Sequence, residues 1–424
     1  MIAQKKVKIG VLGMGVVGTE LVSLLLQNTS RIANDTGMQV SIEKIYVRTT
    51  TKTRTIDTTN LPLTTNIADI IDNPDIDVIC ECMGGSGCDE TNIFIQRALD
   101  NGKHVIMSSK KALAKNAAIL LKKAKENKKH LKYDASVGGA IPIAKVLNQV
   151  FKGDTIVKIF GIFNATSNYI YSKMETNHES FETALKSAQK IGYAENDPSE
   201  DIDGIDSLNK LVILSMFGMN LIINPNSLQS ESFQNINSID MKYANDLGFS
   251  IKPIALIKSV NNALEYKIGP CLVSNNHIVA NTHNNFNSVI IEGQNIGELG
   301  FYGQGAGGKP TASAMYDDLI HVLETPIPDW DKEFVSLNEN QVLNSQSKYY
   351  FRLTSNNKEI GFDDISSIFA YYGVQIENRI DTSVDGNYSD IPFFTSEISH
   401  KSLEKIQTKL CEMGIVTNSL LSMV

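Results

Sequence analysis

At 424 residues, with 42% hydrophobic and 20% charged residues, the chain is too long for a single core and ordinary in composition for a globular protein of two or three domains. A formal net charge of −8, no basic block beyond residues 122–132 and no apolar run of membrane-spanning length argue against nucleic acid and membrane as partners. Five cysteines (Cys80, Cys82, Cys88, Cys271 and Cys411) without metal-ligand spacing, and an N-terminus without a signal-peptide pattern, point to a reducing cytoplasm.

Residues 6–12 are predicted as a strand, and residues 19–27 as a helix. Between them stands Gly13-Met14-Gly15-Val16-Val17-Gly18, a Gly-x-Gly-x-x-Gly turn in its required context. The first glycine permits the tight turn, the second lets a pyrophosphate approach, and the third allows close helix–strand packing. The helix N-terminus then favours the anion. The second strand, 40–47, ends in Arg48, with Lys52 and Arg54 close behind. A cation in place of the usual acid suits a 2′-phosphate, so NADP(H) is expected over NAD(H).

Further strands are expected at 76–82 and 103–107, with a helix at 89–101 between them. The first strand ends in the small-residue turn 83–87, and the second in Ser108-Ser109-Lys110-Lys111. Ligands sit at strand C-termini in an open parallel sheet, so a lysine there is a candidate cation for binding or catalysis. Residues 134–142 are a Gly-rich turn. It reads either as a plain connection or as a loop whose carbonyls coordinate a hard cation.

The cluster Asn164, Thr166, Ser167 and Asn168 lies between a strand and a helix, where it would either bind substrate or cap the helix. A helix at 180–190 leads into Gly192-Tyr193-Ala194-Glu195-Asn196-Asp197-Pro198-Ser199-Glu200-Asp201-Ile202-Asp203-Gly204-Ile205-Asp206-Ser207-Leu208-Asn209-Lys210-Leu211. After Gly204 the pattern is helical, which puts Asp206 and Lys210 on one face. Such a pair is either a surface ion pair or, beside so many carboxylates, a device that holds a small zwitterion and moves a proton. Strand patterns recur at 255–267 and 289–292. Residues 302–313, a run of small residues opening a helix, would let backbone approach the nucleotide from its other side. A Pro-containing break at 324–329 and the polar run 336–347 precede a last segment of βαββαβ rhythm: strands at 349–353, 374–380, 391–396 and 415–421, helices at 362–371 and 401–413.

With these motifs laid out, the chain resembles the stand-alone homoserine dehydrogenases that carry a C-terminal ACT domain. The family's Ala-Asn-Lys-Ala-Leu motif matches residues 109–113. Its Glu-Ala-Ser-Val-Gly-Gly-Gly-Ile-Pro motif matches 134–142, and Asn-Gly-Thr-Thr-Asn-Tyr-Ile matches 164–170. Its long acidic motif matches 192–211, and Gly-x-Gly-Ala-Gly matches 303–307. The resemblance implies an α/β fold with a Rossmann-type nucleotide-binding domain (1–140), an α+β catalytic and dimerisation domain (141–310), a helix returning to the first domain (311–330), a linker (331–347) and a βαββαβ ACT-like domain (348–424).

The implied activity is reversible reduction of L-aspartate 4-semialdehyde to L-homoserine. Lys210, Asp206 and Lys111 are then the catalytic group. Gly192, Glu195, Asp201 and Lys210 bind substrate. Gly13, Gly15, Val16, Val17, Gly18, Arg48, Lys111 and Gly307 line the cofactor, NADP(H) by preference and NAD(H) as the alternative. Asp134 with the carbonyls of Val137, Gly139 and Ile141 would hold a structural sodium ion. The enzyme would be a homodimer or homotetramer. The chain departs from the family at Lys110, where an Asn is usual, at Asp134, where a Glu is usual, and at residues 356–362, which lack the proline of the ACT effector loop. A non-catalytic amino-acid sensor on the same scaffold is the competing reading. Aspartate-semialdehyde dehydrogenase chemistry is discounted, because no cysteine has a nucleophile's setting beside a histidine. No expected site residue follows position 331, so a chain cut there is expected to keep some activity.

Overall fold

The computed structural model describes residues 5–84, 87–139, 141–149, 151, 153–260, 263–325, 333–338, 341–344, 346–355, 360–380 and 391–424. The chain opens with β1 (Lys5–Leu12), α1 (Val16–Gln27), α2 (Thr29–Thr36), β2 (Met38–Tyr46), β3 (Leu63–Thr64), α3 (Ala68–Ile71), β4 (Val78–Glu81), α4 (Cys88–Asp100), β5 (His104–Met107), α5 (Lys110–Glu126), β6 (Leu131–Lys132) and α6 (Ile143–Gln149). Its middle part is β7 (Ile156–Ile162), α7 (Ala165–Asn177), α8 (Phe181–Lys190), α9 (Ser199–Ile202), α10 (Ile205–Met219), β8 (Leu221–Ile222), α11 (Ser238–Asp246), β9 (Phe249–Val260) and β10 (Ala263–Ser274). There follow β11 (Phe286–Gly293), β12 (Gly297–Gln304), α12 (Gly308–Glu324), β13 (Val335–Ser336), β14 (Val342–Asn344), β15 (Tyr349–Ser355), α13 (Phe362–Tyr371), β16 (Ile376–Arg379), β17 (Ile391–Thr395), α14 (His400–Glu412) and β18 (Ile415–Met423). These elements form two compact units. One is Met1–Ile156, Asn209–Asn226 and Phe301–Leu337; the other is Val157–Leu208, Ser227–Gly300 and Asn338–Val424.

The first unit is built on a parallel sheet in the order β3-β2-β1-β4-β5-β6. Helices connect its strands except between β2 and β3, which a loop joins, and the order reverses at β1. Strand β1 turns Val7, Ile9 and Val11 to one face, where they pack with Leu21, Val22 and Leu25 of α1. Ala312, Met315 and Leu319 of α12 complete the same core. The crevice at the C-terminal ends of β1 and β4 is therefore bordered by segments far apart in sequence.

At the opposite ends of the strands, three imidazoles cluster, His104 tilted against His130 and His321 edge-on to it. The ring centroids of His104 and His130 are 5.2 Å apart, and those of His130 and His321 are 5.9 Å apart. His104 Nδ1 accepts the backbone N–H of His130 at 3.0 Å. Burial, with Lys129 and Lys132 nearby, pushes His104 down to about 3 and His130 and His321 down to about 4. In the unfolded chain these groups protonate near 6.5, so between about 6.5 and 4 the unfolded state binds more protons. Stability is expected to be full above pH 6.5 and to fall steadily from there to pH 4. Urea midpoints across that range check this. His104→Asn, which keeps an acceptor for His130, should flatten the slope; an unchanged slope would count against the cluster as its source.

The second unit carries a mixed sheet in the order β11-β7-β9-β10-β18-β15-β17-β16, with β12 beside β11 and β14 beside β10. The strands β9 and β10 pair antiparallel over their whole lengths, with Pro253 opposite Pro270. Proline lacks an N–H and is tolerated only where no ladder bond is needed. β7 opposes β9 only from Ala255 to Lys258, and β18 opposes β10 only at Cys271 and Leu272, so both prolines sit just outside those outer pairings. The strand pattern in the sequence starts at residue 255; the strand itself begins six residues earlier, ahead of Pro253.

The C-terminal order β15-α13-β16-β17-α14-β18 reproduces the predicted βαββαβ pattern, with ends shifted by at most two residues. Residues 356–359, within the expected effector loop, lie outside the described residues. This segment has its own core around Phe351, Phe369 and Phe393. It is nevertheless continuous with the rest of the unit. Strand β18 pairs parallel with β10 (Cys271 opposite Ser422, Leu272 opposite Met423). Tyr350, Phe394 and Leu421 pack in one cluster with Tyr169, Tyr171, Phe233 and Met241. Arg352 meets Asp240 of α11 through Nε–Oδ1 at 2.7 Å and Nη2–Oδ2 at 3.1 Å, a buried bidentate pair.

Candidate active site

Gly13, with φ +96°, takes the left-handed conformation that the turn after β1 requires. A Cβ on Gly18 would stand 2.1 Å from the Gly13 carbonyl oxygen, so helix α1 can pack this closely only with glycine there. Gly15 is the N-cap of α1, and Val16 beside it is exposed. The first-turn N–H groups of α1 have no side-chain cap, as an anion-binding helix start needs.

A cavity of about 340 Å³ opens here. Gly15, Val16 and Val17 form one wall. Ser108 and Lys110 from the end of β5, Ser136 and Gly139 from the Gly-rich turn, Gly307 at the start of α12 and Lys210 of α10 form the others. Six predicted residues thus meet at one cavity: Gly15, Val16, Val17, Gly139, Gly307 and Lys210. Gly13 and Gly18 shape the turn below it. Lys111 is not among the lining residues; Lys110, its neighbour at the helix start, is. Part of the predicted small-residue turn, residues 85–86, lies outside the described residues.

Arg48 and Lys52 are exposed on the loop after β2. Arg54 is not exposed in the same way: its guanidinium donates to the carbonyls of Met14, Lys52 and Thr49 at 3.3, 2.9 and 3.1 Å. It therefore ties the basic loop to the Gly-rich turn.

Glu81, at the end of β4, was placed by the sequence only within the predicted strand 76–82. Its carboxylate accepts the backbone N–H groups of Met83 (2.6 Å), Ser108 (3.2 Å) and Ser109 (3.0 Å). Complete burial raises its pKa against the pull of those three bonds. One carboxylate thus fixes both loops that border the cavity. An acid between Cys80 and Cys82 in an otherwise apolar strand was the available signal.

Asp134, Val137, Gly139 and Ile141 follow one another around a turn in which Gly138 and Gly139 have φ +80° and +59°. Ala140 lies outside the described residues. The turn offers one carboxylate and three backbone carbonyls, hard oxygen donors of the kind a cation such as sodium takes. Desolvation pushes Asp134 up to about 6, with Lys132 and Lys145 opposing the rise. Its backbone N–H is bonded to Asp318 Oδ2 at 3.1 Å, and burial holds Asp318 well above the ordinary carboxylate range. An added cation would relieve these carboxyls, which now rely on the two lysines.

In the second unit, Gly192 (φ +81°) ends the turn after α8, and Gly204 (φ +76°) separates α9 from α10. Between them the acidic stretch is pinned by hydroxyls. Thr166 Oγ1 donates to the Tyr193 carbonyl at 2.8 Å, Ser167 Oγ to that of Asp201 at 2.9 Å, and Ser230 Oγ to that of Asp203. Glu195 and Gly192 are exposed, whereas Asp206 is 3% and Lys210 6% exposed. Asp206 and Lys210 lie one turn apart on α10, which runs out of this unit into the first at residue 209. A surface ion pair would not be buried in this way, so the bland reading of the spacing fails.

Two family profiles match the chain. "Homoserine dehydrogenase, NAD binding domain" covers residues 13–134, and "Homoserine dehydrogenase" covers residues 142–320. The homoserine dehydrogenase of Bacillus subtilis is 31% identical over 97% of this chain and 96% of its own. Among solved structures, a homoserine dehydrogenase from Thiobacillus denitrificans superposes with a TM-score of 0.91 at 29% identity, covering 99% of this chain and 98% of that one. The Staphylococcus aureus enzyme does so with a TM-score of 0.80 at 27% identity, covering 99% of each chain.

Proposed function

The chain belongs to the homoserine dehydrogenase family, and from that premise we propose which of its residues carry out the NAD(P)-dependent interconversion of L-aspartate 4-semialdehyde and L-homoserine. The observation that carries the assignment is Lys210: it stands in the wall of the glycine-lined cavity, one helical turn after a buried aspartate. When bound, the reduced nicotinamide supplies a hydride to the aldehyde carbon. Charge then develops on the aldehyde oxygen, and a buried ammonium beside it stabilises the alkoxide and delivers the proton. Asp206, one turn before it, orients a hydroxyl or water and holds Lys210 charged. Glu195 and Asp201, with the Gly192 turn, hold the substrate ammonium. Lys111 completes the group, and Lys110 adds a second cation at the cavity wall. A sodium ion would be held by Asp134 and the carbonyls of Val137, Gly139 and Ile141, where it would have a structural role and enter no chemical step. Assembly as a homodimer or homotetramer and a cytoplasmic setting belong to the same reading, and the family resemblance supports both. The test is NADPH oxidation on addition of aspartate semialdehyde; a chain that binds NADPH and never turns over would leave the sensor reading in its place.

The cofactor preference is a separate expectation. Arg48, exposed at the end of β2 on a loop that Arg54 secures, is assigned to the 2′-phosphate of NADP(H). Arg48→Ala should weaken NADPH binding about tenfold, the scale of one charge-assisted hydrogen bond, and leave NADH binding unchanged. Titration of both cofactors checks this. Equal losses for both, or tighter NADH binding in the wild type, would remove the assignment.

A further inference from the structure

We propose that Asn164 is the positioning residue for both acidic side chains of the site, a role that rests on the reading of Asp201 and Asp206 given above. Asn164 follows β7 and is 2% exposed. Its Oδ1 accepts the backbone N–H of Ser167 at 2.8 Å and so caps α7. Capping leaves the amide NH2 group, whose two hydrogens go to two different carboxylates. Nδ2 donates to Asp201 Oδ1 at 2.7 Å and to Asp206 Oδ2 at 2.9 Å.

No other capping residue does this. Serine, threonine and aspartate accept the cap bond, but only asparagine also has two donors on one nitrogen. The two acids come from different helices, α9 and α10, with Gly204 between them. Two carboxylates brought to one point repel, and a shared donor set between them offsets that repulsion and fixes their spacing. The binding carboxylate and the catalytic carboxylate are thereby indexed to one atom. The motif Asn164-Ala165-Thr166-Ser167-Asn168 therefore serves as helix cap and substrate-site brace together, where the sequence left these as alternatives.

Two substitutions separate the roles. Asn164→Ser and Asn164→Asp both keep an acceptor for the Ser167 N–H. A residue that only caps would leave both variants with wild-type thermal stability and kinetics. The brace predicts that Asn164→Ser keeps its thermal midpoint and its NADPH affinity. It also predicts a rise in the KM for aspartate semialdehyde and a fall in kcat, with kcat/KM down about 10- to 100-fold, the scale of hydrogen bonds to charged groups. Asn164→Asp, which sets a third carboxylate among the two, should lose more than Asn164→Ser. Wild-type kcat/KM in Asn164→Ser overturns the proposal. So does a loss in which NADPH affinity and the thermal midpoint fall in step with activity, because that marks a structural residue. A wild-type enzyme inert toward aspartate semialdehyde would instead remove the parent assignment, and it is measured first.

Discussion

Lys210→Ala is expected to lower kcat for aldehyde reduction by about 10³-fold while the NADPH dissociation constant stays within a few-fold of wild type. The magnitude follows from what one side chain supplies. A preorganised donor at a developing oxyanion contributes about 10² to 10³, and a positioned general acid contributes 10² to 10⁴. The end of the cavity at Gly15 and the start of α1, assigned here to the cofactor phosphates, is untouched by the substitution, so cofactor binding should persist. Lys210→Arg should recover little, because a planar guanidinium does not place one point charge where an ammonium does. Stopped-flow NADPH oxidation separates the hydride step from product release. Wild-type turnover in Lys210→Ala would take the lysine out of the chemistry.

Asp240→Ala is expected to cost about 3–5 kcal/mol, the scale for removing one partner of a buried ion pair. Asp240 caps its own helix reciprocally with Asn237 and receives Arg352 on both oxygens and Tyr350 on one. Without it, a guanidinium 7% exposed in its side chain has lost its carboxylate. The thermal midpoint should fall by about 10 °C. Asp240→Leu combined with Arg352→Met should restore most of the loss, because the cost lies in the stranded charge rather than in the worth of the pair. A loss below about 1 kcal/mol for Asp240→Ala would show that water or a rearranged neighbour replaces the carboxylate. The same contacts change the expectation for a chain cut near residue 331. Removing β15 to β18 uncovers β10, takes Tyr350, Phe394 and Leu421 from a shared core and strands Asp240. The cut chain should be insoluble or inactive.

How much of this was legible follows from range. The parallel sheet and its glycine turn were readable because each signal is local: an apolar strand, Gly13 to Gly18, then a helix. The C-terminal elements were readable for the same reason, and their periodicity placed each end within two residues. The pairing of β10 with β18 joins positions about 150 residues apart and leaves no mark in either strand. Pro253 and Pro270 concealed the extent of β9 and β10, since a proline is poor evidence for a strand unless the missing outer partner is known. Of the residues in the cavity wall, Gly15 and Lys210 were singled out by motif spacing. Glu81 and the second duty of Asn164 were not, because both act on backbone or side chains brought near only by folding. At the start of α5 it is Lys110, where the chain departs from the motif, that the structure sets in the cavity wall, which no motif match could have shown.

The second sheet is assembled from strands drawn from three separate stretches of chain, and β18 is the latest of them to be synthesised. During translation, β9 and β10 leave the ribosome well over a hundred residues before the strand that flanks them. For that interval β10 presents an open hydrogen-bonding edge beside an apolar surface, the state most prone to pairing with another nascent copy. This unit therefore cannot complete its folding stepwise from the N-terminus, and its yield in the cell should depend on elongation speed and on chaperones that shield that edge.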